Sequence, residues 1–430
     1  MDDTIPKEKR MIKIIVQCEN GSFPYLTPFL VNKYFPSNDY KDYMMLGMAV
    51  KDTCVVPMYR DSNNNHNNKR LHPESNVNND DKKKPMGYTF DVPKPLLTCL
   101  EKVDNGYDTV LVPTFDLLDD RTNGAFTHTN SHIQLSTYNG MTKITPALYH
   151  KISHTLHLNY TLSLYDQPST KKKKKKKQQQ PQQQELPICM QRTINWFHQH
   201  VTDNHNHSQS KQQELWSPLL VPDNDYIFEK DTNEMIQQIF KNSKITKEQH
   251  HPVVTLIGWH HGNDQETNLK NVQTQIDLLL PSSSSGTSLS VLNTVDLFQF
   301  LLAMKNGVTY IGTSIPTLMA KSKKALCLQP FLSEEINNNN HHELILDLED
   351  TIYETDSTPL ISCCNENAYS RSYVHHLIKA KELLGEILLF SHNLHQILLL
   401  VKHVSYLRES SNTIQLQNLY NCIESKLSRK

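Results

Sequence analysis

The sequence predicts an α/β fold built on parallel strands. Short apolar, β-branched runs alternate with helical segments between residues 108 and 311. Such alternation is typical of parallel strands joined by helices. From residue 370 onward, apolar residues recur at helical spacing instead. We therefore expect a parallel α/β body followed by a helical tail.

The first predicted strand is Asp108–Val112, and a second begins at Ile133. Asn139 and Gly140 then supply the two-residue turn typical of a β-hairpin, because both tolerate a positive φ. We expect a hairpin centred on this pair.

A helix is predicted to begin at Thr145 and Pro146, with Thr as N-cap and Pro in the first turn. Leu148, Ile152 and Leu156 fall on one face of this helix. That face should pack against the strands.

The remaining elements follow from the same patterns. Strands are predicted at residues 160–165, 253–257 and 308–311, and helices at residues 294–304, 370–384, 387–404 and 414–427.

Glycine content excludes two common nucleotide-binding motifs. The 430 residues include only 12 glycines, no two of them adjacent or one residue apart, and no Gly-Lys-Ser or Gly-Lys-Thr. The dinucleotide fingerprint and the P-loop both need clustered glycines where backbone meets phosphate.

Charge and cysteine usage favour an intracellular protein. The formal net charge is −1, so no global field attracts polyanions or membranes. The eight cysteines do not form a disulfide-like framework, and the first residues lack the pattern of a secretory signal. The apolar stretch at residues 383–401 contains polar side chains and is interpreted as a buried helix. We expect a cytoplasmic location, with peripheral association with an organelle surface left open.

Four tracts have strongly biased composition and are predicted to be disordered insertions. They are residues 61–84, 170–184, 203–213 and 337–342. The lysine run at residues 171–177 is interpreted as a solvated loop, with an RNA-binding arm as the alternative.

Several histidine clusters have both a functional and a packing interpretation, and packing is favoured for each. The clusters are Gly258-Trp259-His260-His261 after a strand, His375-His376 on a helix, and Trp196-Phe197-His198 with His200. Cys363, Cys364 and Glu366 with His392 could hold a metal, but the spacing alone is weak evidence.

Three segments in the same order resemble the tRNA-guanine transglycosylase family. The tail segment at residues 367–377, with residues 382–385 and 392–395, resembles the family's C-terminal signature. Residues 140–167 resemble its Thr-Pro helix and a strand ending in Asp-Glu. Residues 307–317 resemble the strand and Pro-Thr turn that carry its nucleophile.

The resemblance implies an irregular (β/α)8 TIM-type barrel with a C-terminal helical zinc-type subdomain. We place the barrel at residues 1–358 and the subdomain at residues 359–430. The family exchanges guanine for queuine at the wobble position of certain eukaryotic tRNAs, which yields queuosine.

Departures from the family pattern predict that this chain is not catalytic. The nucleophilic carboxylate falls on Gly312, and residues 297–333 contain no Asp or Glu. The family's Asp-Ser-Gly-Gly segment is absent, Leu318 replaces an Arg, and Gln167 replaces the Glu after Asp166. The pattern is that of an accessory, non-catalytic member that forms a heterodimer with a catalytic queuine tRNA-ribosyltransferase subunit and meets tRNA through that complex.

The resemblance implies a degraded zinc site. The family's three cysteines fall on Ile361, Cys363 and Glu366, and its histidine falls on His392. Cys364 is a possible substitute, because zinc accepts mixed sulfur, nitrogen and oxygen ligands.

Two alternative functions stay open at this point. One is an active base-exchange enzyme that uses an unrecognised carboxylate such as Asp166. The other is a queuine-binding or queuine-salvage barrel, since the family's counterpart of Asp166 contacts the edge of the base.

Overall fold

The structure is a computed structural model, and it describes part of the chain. The described residues are 11–18, 42–50, 54–58, 87–91, 108–114, 129–137, 140–156, 158–167, 181–206, 214–220, 235, 238, 253–259, 266, 269–270, 288–332, 343–360 and 369–427.

Eight parallel strands close into a barrel, which confirms the predicted parallel α/β body. The barrel order is β1-β12-β11-β10-β9-β8-β5-β2. The strands are β1 (Lys13–Cys18), β2 (Met44–Ala49), β3 (Cys54–Met58), β4 (Gly87–Asp91), β5 (Asp108–Val112), β6 (Ile133–Thr137), β7 (Gly140–Ile144), β8 (Tyr160–Leu162), β9 (Glu214–Leu220), β10 (Val253–Ile257), β11 (Ser288–Thr294), β12 (Tyr310–Thr313), β13 (Lys324–Leu326) and β14 (Ile345–Asp347). Strands β3 and β4, β6 and β7, and β13 and β14 form three separate antiparallel pairs.

The described α-helices either alternate with the barrel strands along the chain or follow the last of them. They are α1 (Pro146–Leu156), α2 (Pro181–Asn206), α3 (Leu297–Lys305), α4 (Ile315–Lys321), α5 (Arg371–Lys379), α6 (Leu383–Glu409) and α7 (Thr413–Leu427).

Aromatic rings fill one end of the barrel interior. The rings of Trp216 and Tyr310 lie 4.9 Å apart between centroids. Because β9 and β12 are separated by two strands, this contact crosses the inside of the barrel. Near it, at the amino ends of β1 and β5, Lys13 Nζ pairs with Asp108 Oδ2 at 2.6 Å. This end of the barrel is therefore a packed core.

The start of α1 is confirmed, and the hairpin before it is shifted by one residue. The Leu148 N–H donates to Thr145 Oγ1 at 3.2 Å, so Thr145 caps the helix. The register pairs Thr137 with Gly140, which makes Gly140 the first residue of β7 rather than part of the turn. This register pairs Ile133 with Ile144, and both side chains are fully buried.

Three predicted boundaries were wrong by two or three residues. Helix α3 begins at Leu297, because Asp296 caps it by accepting from the Gln299 N–H at 2.8 Å. Strand β12 begins at Tyr310, after a turn in which Gly307 has φ +78°. Strand β8 is limited to Tyr160–Leu162.

Helix α2 contradicts part of the predicted disorder. It spans Pro181–Asn206 and so includes residues 181–184 and 203–206 of two biased tracts. Pro is favoured in the first turn of a helix and Gln is a good helix former, which explains the early start. The rest of both tracts, and residues 61–84 and 337–342, lie outside the described residues.

The predicted helical tail is confirmed as α5, α6 and α7, but the bounds of two helices were wrong: α5 ends at Lys379 rather than at residue 384, and α6 spans Leu383–Glu409 rather than residues 387–404. Ser370 caps α5 by accepting from the Tyr373 N–H at 3.2 Å. His375 is buried while His376 is exposed, as their angular separation on the helix predicted. By length and composition alone α6 could cross a membrane, yet most of its apolar stretch is buried inside the protein. This agrees with its interpretation as a core helix.

A row of polar side chains on α6 binds the backbone of the segment that follows α4. The Leu326 N–H donates to Asn393 Oδ1 at 2.7 Å, and Asn393 Nδ2 donates to Lys324 O at 2.9 Å. Gln396 Oε1 accepts from two further backbone N–H groups, those of Leu328 at 2.8 Å and Gln329 at 3.0 Å. These bonds attach the tail to the barrel body.

Candidate functional site

Gly312, which the resemblance places at the nucleophile position, packs against a bulge in the neighbouring strand. Between β11 and β12 the register runs from Val291 opposite Ile311 to Thr294 opposite Thr313, so β11 contains one extra residue. Asn293 in this bulge has φ +57°. A Cβ on Gly312 would lie 3.1 Å from the backbone nitrogen of Asn293. Backbone atoms therefore crowd the position that a Cβ at residue 312 would take.

Hydrogen bonds fix the bulge to the turn after β12. Thr294 Oγ1 donates to Gly312 O at 2.9 Å, and the Ser314 N–H donates to Thr294 O at 3.1 Å. Ser314 Oγ donates to Asn293 Oδ1 at 3.1 Å. The bulge beside Gly312 is thus bonded to both β12 and the turn after it. The side chains in these bonds carry hydroxyl and amide groups, and none is a carboxylate.

Asp166, which follows β8, is paired with an arginine from α2. Its side chain is fully buried, and Oδ2 accepts a hydrogen bond from Arg192 Nη1 at 3.0 Å. The Asp166 N–H donates to Thr193 Oγ1 at 2.9 Å. Two consecutive residues of α2 therefore hold the side chain and the backbone of Asp166.

The same helix is joined to the β6–β7 hairpin region at Asn130. Arg192 Nε donates to Asn130 Oδ1 at 2.8 Å, and Trp196 Nε1 donates to Asn130 O at 3.0 Å. Arg192 thus bridges Asp166 and Asn130, with one donor to each. The guanidinium is held in a defined position over the end of β8.

The other strand-end cluster, at residues 258–261, is described only in part. Gly258 has φ +82°, a conformation that favours glycine, and Trp259 is fully buried. His260 and His261 lie outside the described residues. Trp196, Phe197 and His200 are likewise buried in the core, as the packing interpretation predicted.

Of the four residues predicted to bind zinc, the structure describes only His392. Its Nε2 donates to Leu326 O at 2.7 Å, which fixes the tautomer that carries the lone pair on Nδ1. A metal-binding histidine is commonly held in this way by a backbone carbonyl, so His392 fits a ligand role. Cys363, Cys364 and Glu366 lie outside the described residues. Within the described ranges, no group of three or more His, Cys, Asp or Glu side chains could hold a metal ion.

Comparison with known families decides the identity of the fold. Residues 122–410, about two thirds of the 430 residues, match the family model described as queuine tRNA-ribosyltransferase. The chain belongs to this family. Gly312, Asp166 and Arg192 all lie within the matched range.

Curated relatives in this family match shorter parts of the chain. It is 35% identical over 119 residues to a queuine tRNA-ribosyltransferase accessory subunit 2 from Drosophila grimshawi, covering 27% of each chain. The corresponding protein from Drosophila pseudoobscura pseudoobscura is 38% identical over 92 residues, or 21% of each chain. A queuine tRNA-ribosyltransferase-like protein from Plasmodium falciparum is 26% identical over 161 residues, 32% of this chain and 64% of the relative. The chain thus spans about a quarter of the length of the two Drosophila relatives.

Sequence reasoning identified Asp166 and Gly312 but missed the groups that surround them. Arg192 lies 26 positions after Asp166 and Asn130 lies 62 positions before Arg192, so no local pattern connects them. They are brought together when α2 packs against the segment after β8 and the segment before β6.

Proposed function

We propose that this chain is the non-catalytic accessory subunit of a queuine tRNA-ribosyltransferase. It forms a heterodimer with a catalytic subunit that exchanges guanine for queuine at the wobble position of tRNA. The names of the Drosophila relatives support this role.

The observation that carries the proposal is the environment of Gly312. Covalent base exchange needs a carboxylate that can attack the ribose carbon. Residue 312 has no side chain, and backbone atoms of Val291, Leu292 and Asn293 lie within 3.3 Å of its Cβ position. Residues 297–333 contain no Asp or Glu that a shifted alignment could use.

An active enzyme that uses Asp166 is less well supported. A nucleophile or general base needs a lone pair that can reach the substrate. Asp166 is fully buried and pairs with Arg192 at 3.0 Å, which neutralises its charge and occupies Oδ2. The accessory role requires no such chemistry.

The remaining parts of the proposal concern partners and organisation. We place contact with tRNA in the heterodimer, the location in the cytoplasm, and the division between barrel and helical zinc-type subdomain at residues 358 and 359. Zinc would be held by Cys363, Glu366 and His392, with Cys364 as a substitute, and would cross-link the segment before α5 to α6.

The central test is base exchange by the purified chain and by the heterodimer. Labelled guanine or queuine is supplied with tRNA, and incorporation is counted. We expect none from the isolated chain and incorporation from the chain with its catalytic partner. Exchange by the isolated chain that is lost on Asp166→Ala would establish the active enzyme instead.

Zinc is tested separately by metal analysis of the purified full chain. We expect about one zinc per chain, with loss in Cys363→Ser and in His392→Ala. The matched control is His375→Ala, a buried histidine nearby on α5 that bonds Leu348 O at 2.9 Å. Zinc content that is zero in the unmodified chain, or equal in all variants, would remove zinc from the proposal.

A further inference from the structure

We propose that Arg192 is a built-in occupant of a nucleobase site on this chain. This inference rests on the proposed function. The Arg192 guanidinium donates to the Asp166 carboxylate, as the N–H groups of a base such as queuine would. The intact chain then binds no free base, and the site opens when Arg192 is removed.

The first step of the argument is the position of the carboxylate. Asp166 follows β8, at the carboxyl end of a parallel barrel strand, where barrels bind their ligands. Its side chain is fully buried. A buried carboxylate at that end requires a cationic or strongly donating partner.

The second step is the chemistry of the partner that occupies it. A guanidinium presents planar N–H donors in a fixed array that matches a carboxylate. The N1–H and 2-amino edge of guanine, shared by the 7-deazaguanine ring of queuine, is a planar donor array of the same kind. Arg192 Nη1 at 3.0 Å from Asp166 Oδ2 therefore satisfies the acceptor that such a base would use.

The third step is that Arg192 is held in place by further contacts. Its Nε donates to Asn130 Oδ1 at 2.8 Å, and the next residue, Thr193, receives the Asp166 N–H at 2.9 Å. A base would have to displace a guanidinium that is hydrogen-bonded to two different residues, Asp166 and Asn130. A site occupied in this way leaves base binding to the catalytic partner.

The test is titration of the isolated full chain with queuine by calorimetry. We expect no binding to the unmodified chain, and binding at least about tenfold tighter to Arg192→Met, which keeps the aliphatic stem but removes the donors. Asp166→Asn combined with Arg192→Met should abolish the gain. The matched control is Arg371→Met, which breaks a comparable pair with Asp356 at 3.2 Å and should gain nothing.

If Arg192→Met folds poorly, melting curves with and without queuine provide a second measurement of binding. Queuine should raise the melting temperature of Arg192→Met, or of Arg192→Ala, and leave that of the unmodified chain unchanged. Absence of any queuine effect on both variants, or equal binding by the unmodified chain, would overturn the inference. These readouts use the isolated chain at equilibrium, so they are distinct from the exchange assay that tests the accessory role.

Discussion

The Cβ position of Gly312 lies 3.1 Å from the backbone nitrogen of Asn293 on the neighbouring strand. This distance is tighter than nine in ten real Cβ contacts, and the atom it meets is backbone, which would have to shift by a few tenths of an ångström. The bulge in β11 therefore disfavours a side chain at the position that the resemblance assigns to the family's nucleophile.

We predict that Gly312→Ala lowers the free energy of unfolding by about 1–3 kcal/mol, because it overpacks the strand against this bulge. Gly312→Asp should cost more, since it also buries a carboxylate, and should not create base exchange. Chemical denaturation measures both variants. The control Leu318→Ala removes an exposed side chain on α4 and should change stability by less than about 0.5 kcal/mol. Exchange activity in Gly312→Asp would show that the site retains more of its chemistry than its geometry indicates.

The sequence predicted the elements whose signals are local. The N-cap at Thr145, the strands at Asp108–Val112 and Val253–Ile257, and the helical tail all depend on neighbouring residues, and the structure has them. The bulge at Asn293 and the Arg192 partner of Asp166 depend on how neighbouring elements pack against each other. No periodicity or spacing encodes such contacts, because they join residues on different elements.

We predict that Asn393→Ala lowers the free energy of unfolding by about 2–4 kcal/mol. The substitution leaves the Leu326 N–H and the Lys324 carbonyl of β13 without their partner in a buried segment. Tyr406→Ala, an exposed change on the same helix, is the control and should have little effect. Equal melting temperatures for both variants would contradict the docking role of the α6 polar row.

We predict that His200 makes the fold less stable in acid. Burial, together with His150 and His154, lowers its pKa from 6.5 to about 3. The unfolded chain therefore takes up a proton between these values that the folded chain does not. Stability from this group is complete above about pH 6.5 and falls by about 1.4 kcal/mol per pH unit as the pH drops toward 3.

The check is the slope of unfolding free energy against pH from 6 to 4.5 in the unmodified chain and in His200→Phe. Phenylalanine keeps a ring against Tyr149, whose ring centroid lies 5.9 Å from that of His200, and cannot titrate. The slope should decrease by about 1.4 kcal/mol per pH unit, the contribution of one histidine. Ile352→Gln, an exposed change that involves no titratable group, should leave the slope unchanged. Identical slopes for His200→Phe and the unmodified chain would refute the assignment.

The last prediction concerns the surface that meets the proposed catalytic partner, for which residues 370–404 of the helical tail are the candidate segment. Most of that range is not available for contact, because α6 is buried from Leu388 through Leu398. His375 is also buried and bonds Leu348 O, so it supports the fold rather than an interface. The exposed apolar side chains that remain lie on α5 and the first turn of α6, namely Tyr373 (39%), Leu383 (52%) and Leu384 (38%).

We therefore predict that Tyr373→Asp and Leu383→Asp weaken the heterodimer by at least about tenfold while changing stability by less than about 0.5 kcal/mol. A charge placed in an apolar contact must be desolvated on binding, whereas in the free chain it stays in water. Tyr406→Asp, which introduces the same charge at a 62% exposed position near the other end of α6, is the matched control. The measurements are the dissociation constant of the one-to-one complex and the melting temperature of each free variant. A heterodimer unaffected by Tyr373→Asp and Leu383→Asp would place the interface elsewhere, and one weakened only by Tyr406→Asp would place it at the opposite end of the helix.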